Sequence, residues 1–265
     1  MNNHQERERR LREVEQLYEH LQADYQHLRE LNQLKDQLLM AASHELRTPL
    51  TSVQGYLELM VQFQDEIPSD LVRDYLQKAH RSCEEVVTLL GDLMDVGCLE
   101  AEAEEHPAQV EHVSVQDIIQ SVMNYIEPRV IQEQREVDLH IPPHLQVQAN
   151  PGQLRQVLLN ISINALKYSP PSTPITFSAH AAPDSNSAVV ISVSDRGKGI
   201  APQHQASVFQ PFVRLQRDIA SSIQGSGLGL YISYRLIEAM GGKIWIESGG
   251  IPGQGTTMHI QLPQV

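Results

Sequence analysis

His44 is followed at once by Glu45 and, five positions on, by Pro49, all within a run of helical apolar spacing. At 100° per residue His44 falls roughly opposite Leu46, Val53 and Leu57, so the imidazole points to solvent while the apolar stripe seeks a core. A neutral imidazole nitrogen is a competent nucleophile near neutral pH. Glu45 is placed to hold the other ring N–H and take up its proton. Pro49 lacks an amide donor and its ring crowds the carbonyl of Glu45, costing about 3 kcal/mol in a helix interior. A kink beside an exposed His-Glu pair points to function. A zinc-binding helix would need a second histidine at position 48, where Thr48 stands. His140 and His144 are separated by Pro142-Pro143, which forbids a helical pair, so no metal-ligand cluster of histidines is expected.

A second group lies on a helical pattern from Pro151 to Tyr168. Asn160, Asn164 and Lys167 sit at i, i+4 and i+7 and share one face, opposite Leu154, Val157, Leu158, Ile161 and Ala165. Asparagine is a poor helix former, so two in register suggest a ligand rather than a solvated face. Carboxamide oxygens suit Mg²⁺, and an ammonium suits phosphate. Two glycine clusters follow: Asp195-Arg196-Gly197-Lys198-Gly199-Ile200 directly after a strand, and Gly225-Ser226-Gly227-Leu228-Gly229-Leu230 opening a helix. Glycines at a helix N-terminus let backbone N–H groups approach phosphate oxygens. Neither cluster is a P-loop or a dinucleotide fingerprint, so a nucleotide site here is of another type.

The elements that must position these groups divide the chain in two. Leu11, Tyr18, Tyr25, Asn32 and Leu39 repeat every seven residues, interleaved with Val14, Leu21, Leu28 and Lys35. They form the seam of a parallel coiled coil, in which Asn32 fixes register. The pattern runs on through Leu46, Leu50, Val53, Leu57 and Met60, turns at Ile67-Pro68 with Ser69 or Asp70 as N-cap, and resumes from Tyr75 to Met94. This is a helical hairpin too apolar to stand alone, and two copies make a dimeric four-helix bundle. The acidic stretch Glu100 to Pro107 marks a linker. Beyond it, short strands are expected at His112–Val115, Val137–Ile141, Leu145–Ala149, Ile175–Ala179, Val189–Ser194, Lys243–Glu247 and Thr256–Leu262. Helices are expected from Gln116 to about Gln134, from Pro151 to Tyr168 and from Leu228 to Met240, giving an α+β sandwich of mixed sheet packed on helices. The expected domains are a coiled-coil helix over 1–35, a dimerisation hairpin over 36–100 that carries His44, a linker over 101–110 and an α+β domain over 111–265 that carries the asparagine and glycine groups.

Composition narrows the function classes. A net charge of −13 argues against nucleic-acid binding, which needs clustered Lys and Arg. Cys83 and Cys98 read as reduced, partly buried small hydrophobes. No apolar run approaches the ~18 residues of a membrane span and the N-terminus is polar, so a cytoplasmic segment without membrane contact is expected, with any sensor domain upstream.

Taken together, these residues resemble the histidine kinase family of two-component signalling. Ser43 to Leu50 is similar to its phosphoacceptor box, Asn160 to Ser169 to its asparagine box, and the two glycine clusters to its glycine boxes. Phe209-Gln-Pro-Phe212 with Arg214 resembles its phenylalanine box, and Gly253 to Thr257 its closing signature. The resemblance implies a Bergerat-type ATP site and transfer of the γ-phosphoryl to His44, then to a response-regulator receiver domain. By the same likeness Glu45 is the adjacent acid/base, and Thr48 positions water when phosphate is removed from the partner. Asn164 holds Mg²⁺ with support from Asn160, and Lys167 and Tyr168 contact phosphates and the nucleotide's polar edge. Asp195 accepts from the adenine amino group, while Gly197, Gly199 and Ile200 shape the pocket. Arg214, Gly225, Gly227, Leu228, Gly229, Leu230 and Thr257 complete the nucleotide site, and residues 213–224 form a lid. The related ATPases of the Hsp90 and topoisomerase type carry a Glu as general base where Asn160 stands, and give His44 no role; a non-catalytic scaffold would have no use for intact glycine boxes.

Overall fold

In a computed structural model the described residues are 2–63, 67–105, 110–182, 187–216 and 225–264. The chain opens with α1 (Asn2–Gln62), which runs as one helix through Pro49, and α2 (Ser69–Glu105) returns alongside it. Tyr56 and Tyr75 meet across the hairpin with ring centroids 5.6 Å apart. Val72 N–H donates to the Pro68 carbonyl, so α2 starts a residue earlier than expected and Ser69 and Asp70 lie inside its first turn. Its far end also differs, because helix formers such as Ala101, Glu102 and Ala103 carry α2 through the acidic run to Glu105.

One flank of the hairpin is uncovered in the single chain. Leu50, Leu57, Leu76, Val87, Leu90 and Met94 are exposed despite their apolar spacing, as are Tyr18, Leu21, Tyr25 and Leu39 of the heptad seam. Leu11, Val14, Leu28 and Lys35 lie outside the described side chains. Cys83, expected to be partly buried, is free and exposed on the same uncovered surface, and Cys98 lies outside the described side chains. Among the described residues, no helix is long and apolar enough to cross a membrane.

The C-terminal half is the expected α+β sandwich. It comprises β1 (Glu111–Ser114), α3 (Val115–Gln132), β2 (Val137–His140), β3 (Gln146–Ala149), α4 (Pro151–Tyr168), β4 (Ile175–Ala181), β5 (Ala188–Ser194), the short α5 (Pro202–Gln205), α6 (Gly229–Ala239), β6 (Lys243–Glu247) and β7 (Thr257–Pro263). Strands β2-β4-β5-β7-β6 form a mixed sheet in which only β2 and β4 run parallel, and β1 pairs with β3 in a small antiparallel ribbon. Alternation sorts the strands. Phe177, Val189, Ile191, Met258 and Ile260 join Ile119, Leu158, Ile161, Leu166, Ile232 and Ile237 of the helices in one core. Two caps fix the helix starts: Ser114 Oγ accepts from Asp117 N–H at 3.3 Å, and Asn150 Oδ1 from Gln153 N–H at 3.1 Å, ahead of Pro151. The two halves also touch. Leu89 of α2 is buried in the sandwich core, and Leu46 and Leu93 pack against it.

Candidate functional site

Helix α4 sets the frame of the site. Its inner face is fixed by Leu154, Val157, Leu158 and Ile161, all essentially inaccessible to solvent. That burial turns Asn160, Asn164 and Lys167 toward a cavity of about 270 Å³. Asp195, Lys198, Gly199 and Ile200 enter from the turn after β5, and Arg214 and Leu215 from the segment before the second glycine cluster. Gly225, Ser226, Gly227, Gly229 and Leu230 close the opposite side, with Thr256 and Met258 at the base. Groups separated by up to a hundred positions in sequence thus converge on one space.

Asp195, Lys167 and Asn160 each make contacts that fix them. Asp195 N–H donates to the Thr256 carbonyl at 2.9 Å, and Asp195 Oδ1 accepts from Gly197 N–H at 2.6 Å. Burial pushes the Asp195 carboxyl above the usual aspartate range; the N–H groups of Gly197 and Thr256 and the charge of Arg135 oppose that push. A side chain at position 197 would meet the Tyr168 carbonyl oxygen at 2.4 Å, so only glycine lets this turn lie against the end of α4. Lys167 Nζ lies 5.3 Å from the Tyr168 ring centroid, a cation–π contact. Asn160 Nδ2 donates to the Gly229 carbonyl at 3.2 Å, which ties α4 to the first turn of α6. Phe212 N–H donates to the Gly227 carbonyl, and Gly227 has φ of 72°, a left-handed conformation that brings it within contact of the Phe212 backbone.

Three expected contacts do not line the cavity. Gly197 supports the turn from behind, and Leu228 is wholly buried in the core. Thr257 Oγ1 pairs with Ser194 Oγ at 2.9 Å on the far face of the sheet, because neighbours in a strand point to opposite faces; Thr256 faces the cavity instead. Residues 217–224 of the expected lid lie outside the described residues.

His44 does not line the cavity either. Its side chain is 76% exposed, and Nδ1 is 3.7 Å from Glu45 Oε1, within ion-pair reach but long for a hydrogen bond. Thr48 is exposed and Pro49 buried. The hairpin presents other residues to the cavity: Thr88 and Asp92 of α2 form part of its wall. Ser226 Oγ donates to Asp92 Oδ2 at 2.5 Å and accepts from Leu228 N–H at 3.1 Å. Nothing local in the sequence marks Asp92, since its partner stands 134 positions away. The donor set suits a magnesium nucleotide: two carboxamides, an ammonium, a buried carboxylate and a glycine-lined helix start.

Residues 34–102 match the His Kinase A (phospho-acceptor) domain, and residues 149–265 match the histidine kinase-, DNA gyrase B-, and HSP90-like ATPase domain. The circadian input-output histidine kinase CikA of Synechococcus elongatus is 32% identical over 236 residues, covering 88% of this chain and 30% of that protein. Sensor histidine kinase WalK of Bacillus subtilis is 31% identical over 235 residues, and the chain spans 37% of its length. The solved structure of full-length ShkA in complex with AMPPNP is 29% identical with a TM-score of 0.60, covering 87% of this chain and 46% of that one.

Proposed function

This chain belongs to the histidine kinases of two-component signalling, and on that premise we propose that it moves the γ-phosphoryl of ATP to His44 and then to an aspartate of a response-regulator receiver domain. The observation that carries this reading is the meeting of Asn160, Asn164, Lys167, Asp195 and the second glycine cluster around one cavity, with an exposed imidazole on the adjoining hairpin.

In this mechanism Asp195 accepts from the adenine amino group. Lys167, Arg214 and the N–H groups at the start of α6 hold phosphate oxygens. Asn164, supported by Asn160, offers the oxygen for Mg²⁺, which when bound neutralises charge on the phosphates. The His44 Nε2 lone pair attacks the γ-phosphorus; a P–N bond forms, the bond to the β-phosphate oxygen breaks, and ADP leaves. The Nδ1 proton passes to Glu45, which must close the 3.7 Å gap as the ring gains positive charge. Asn160 cannot act as general base toward water, which favours transfer over hydrolysis. The phosphoramidate then yields its phosphoryl group to the receiver carboxylate. Thr48, exposed one turn beyond His44, orients water when the same face dephosphorylates the receiver.

The working form is a homodimer. The exposed apolar flank of the hairpin and the exposed seam residues support it, since a second copy covers both. Incubation with γ-labelled ATP and Mg²⁺ tests the function. Acid-labile, base-stable label on the native chain and none on His44→Gln is the expected result; label persisting in the variant would name another acceptor.

A further inference from the structure

Arg135 has no part in the mechanism above, yet its guanidinium is fully engaged. It lies just before β2 with a side chain only 1% exposed. Each of its five N–H donors has an acceptor. Nε donates to Glu133 Oε2 at 2.5 Å, and NH1 to Ser169 Oγ at 2.8 Å and Thr173 Oγ1 at 3.1 Å. NH2 donates to the carbonyls of Leu166 at 3.0 Å and Ser169 at 2.9 Å. Those last two carbonyls bracket Lys167 and Tyr168. They belong to the end of α4, where a helix leaves its final carbonyls without partners. The guanidinium fork therefore fixes the terminal turn that carries two nucleotide-facing side chains. The Tyr168 carbonyl is in turn the surface against which Gly197 packs, and Gly197 N–H holds the Asp195 carboxylate.

The geometry points to Arg135 as a positioning residue for purine recognition: through the end of α4 and the Gly197 turn it sets where the Asp195 carboxylate stands and so which base edge the cavity accepts. This inference rests on the assignment of Asp195 to the adenine amino group. Adenine offers a donor at its sixth position and guanine an acceptor there, so a well-placed carboxylate favours the first and rejects the second. The charge of Arg135 also helps keep Asp195 ionised against its burial. The groups facing that carboxyl are the N–H groups of Gly197 and Thr256 and the Arg135 cation; Lys167, Lys198 and Arg214 line the same cavity.

The test measures binding of non-hydrolysable ATP and GTP analogues, with Mg²⁺, to the native chain, Asp195→Asn, Arg135→Lys and Arg135→Met across pH. The native chain discriminates for adenine and Asp195→Asn loses that preference; failure of this pair of results would sink the Asp195 assignment rather than the role of Arg135. Arg135→Lys keeps a charge but not the fork, and its adenine preference falls by roughly tenfold. Arg135→Met loses the charge too, and the acid limb of its ATP binding moves to higher pH. If burial of the unpaired carbonyls prevents Arg135→Met from folding, Arg135→Lys decides alone. Unchanged preference in a folded variant, or equal weakening of both analogues with no displaced acid limb, overturns the proposal and leaves Arg135 a structural staple.

Discussion

Asp92 offers the sharpest perturbation, because it joins the hairpin to the second glycine cluster while His44 stands outside the cavity. The proposed transfer requires the γ-phosphorus and His44 Nε2 to meet, so on that mechanism the arrangement with Asp92 bound to Ser226 must open before chemistry. A hydrogen bond to a charged acceptor contributes about 1.5–3 kcal/mol when buried. Both side chains here are only half-buried, and screening by solvent reduces that to about 1 kcal/mol. At saturating ATP, Asp92→Ala should therefore raise the rate of His44 labelling by about fivefold. The Asp92–Ser226 bond is missing from both single variants, so Asp92→Ala should add little in a Ser226→Ala background, which also lacks the bond from Leu228 N–H. Rapid-quench measurement of label on the three variants and the native chain reads this directly. Equal rates in all four proteins, or single-variant effects that add in the double, would refute the reasoning.

Gly197→Ala places a methyl carbon 2.4 Å from the Tyr168 carbonyl oxygen. The backbone cannot retreat cheaply, so thermal unfolding should show a loss of about 2 kcal/mol or more, with ATP affinity falling in parallel. On the proposed role of Asp195, ATP binding should weaken on acidification at a higher pH than an ordinary aspartate predicts, because burial raises its carboxyl and the ionised form is the one assigned to accept from adenine. Calorimetric titration of the native chain should show this limb and Asp195→Asn should lack it. Burial alone would raise the Glu133 carboxyl, but hydrogen bonds from Arg129 and Arg135 outweigh it and hold it below the usual glutamate range. Its contribution to stability is then present at neutral pH and lost as pH falls through the lowered value. Unfolding midpoints of native chain and Glu133→Gln should converge as the solution is acidified; parallel curves would count against it.

How legible the molecule was depends on the distance over which each feature is decided. Helix α4 could be read from end to end because its determinants are local: Asn150 as cap, Pro151 in the first turn, and a regular apolar stripe to Leu166. Strands β4 and β5 were equally plain, with β-branched and apolar residues on either side of a polar stretch of sequence. The phase at the entrance to β7 was not, since Thr256 and Thr257 are chemically identical and only the sheet's pleat decides which one faces the cavity. Acidic composition suggests a linker after Cys98, and Ala and Glu there also favour helix, so α2 runs on through that stretch to Glu105. The wall contributed by Thr88 and Asp92 had no local mark, being set by how the two halves pack.

That shared wall has a thermodynamic corollary. A cavity built partly from α2 cannot be indifferent to the posture of the hairpin. Whatever factor a shift of α2 imposes on nucleotide affinity, the nucleotide must impose on the shift in return. If ATP and ADP differ in how they press on that wall, their ratio biases the posture of the hairpin as well.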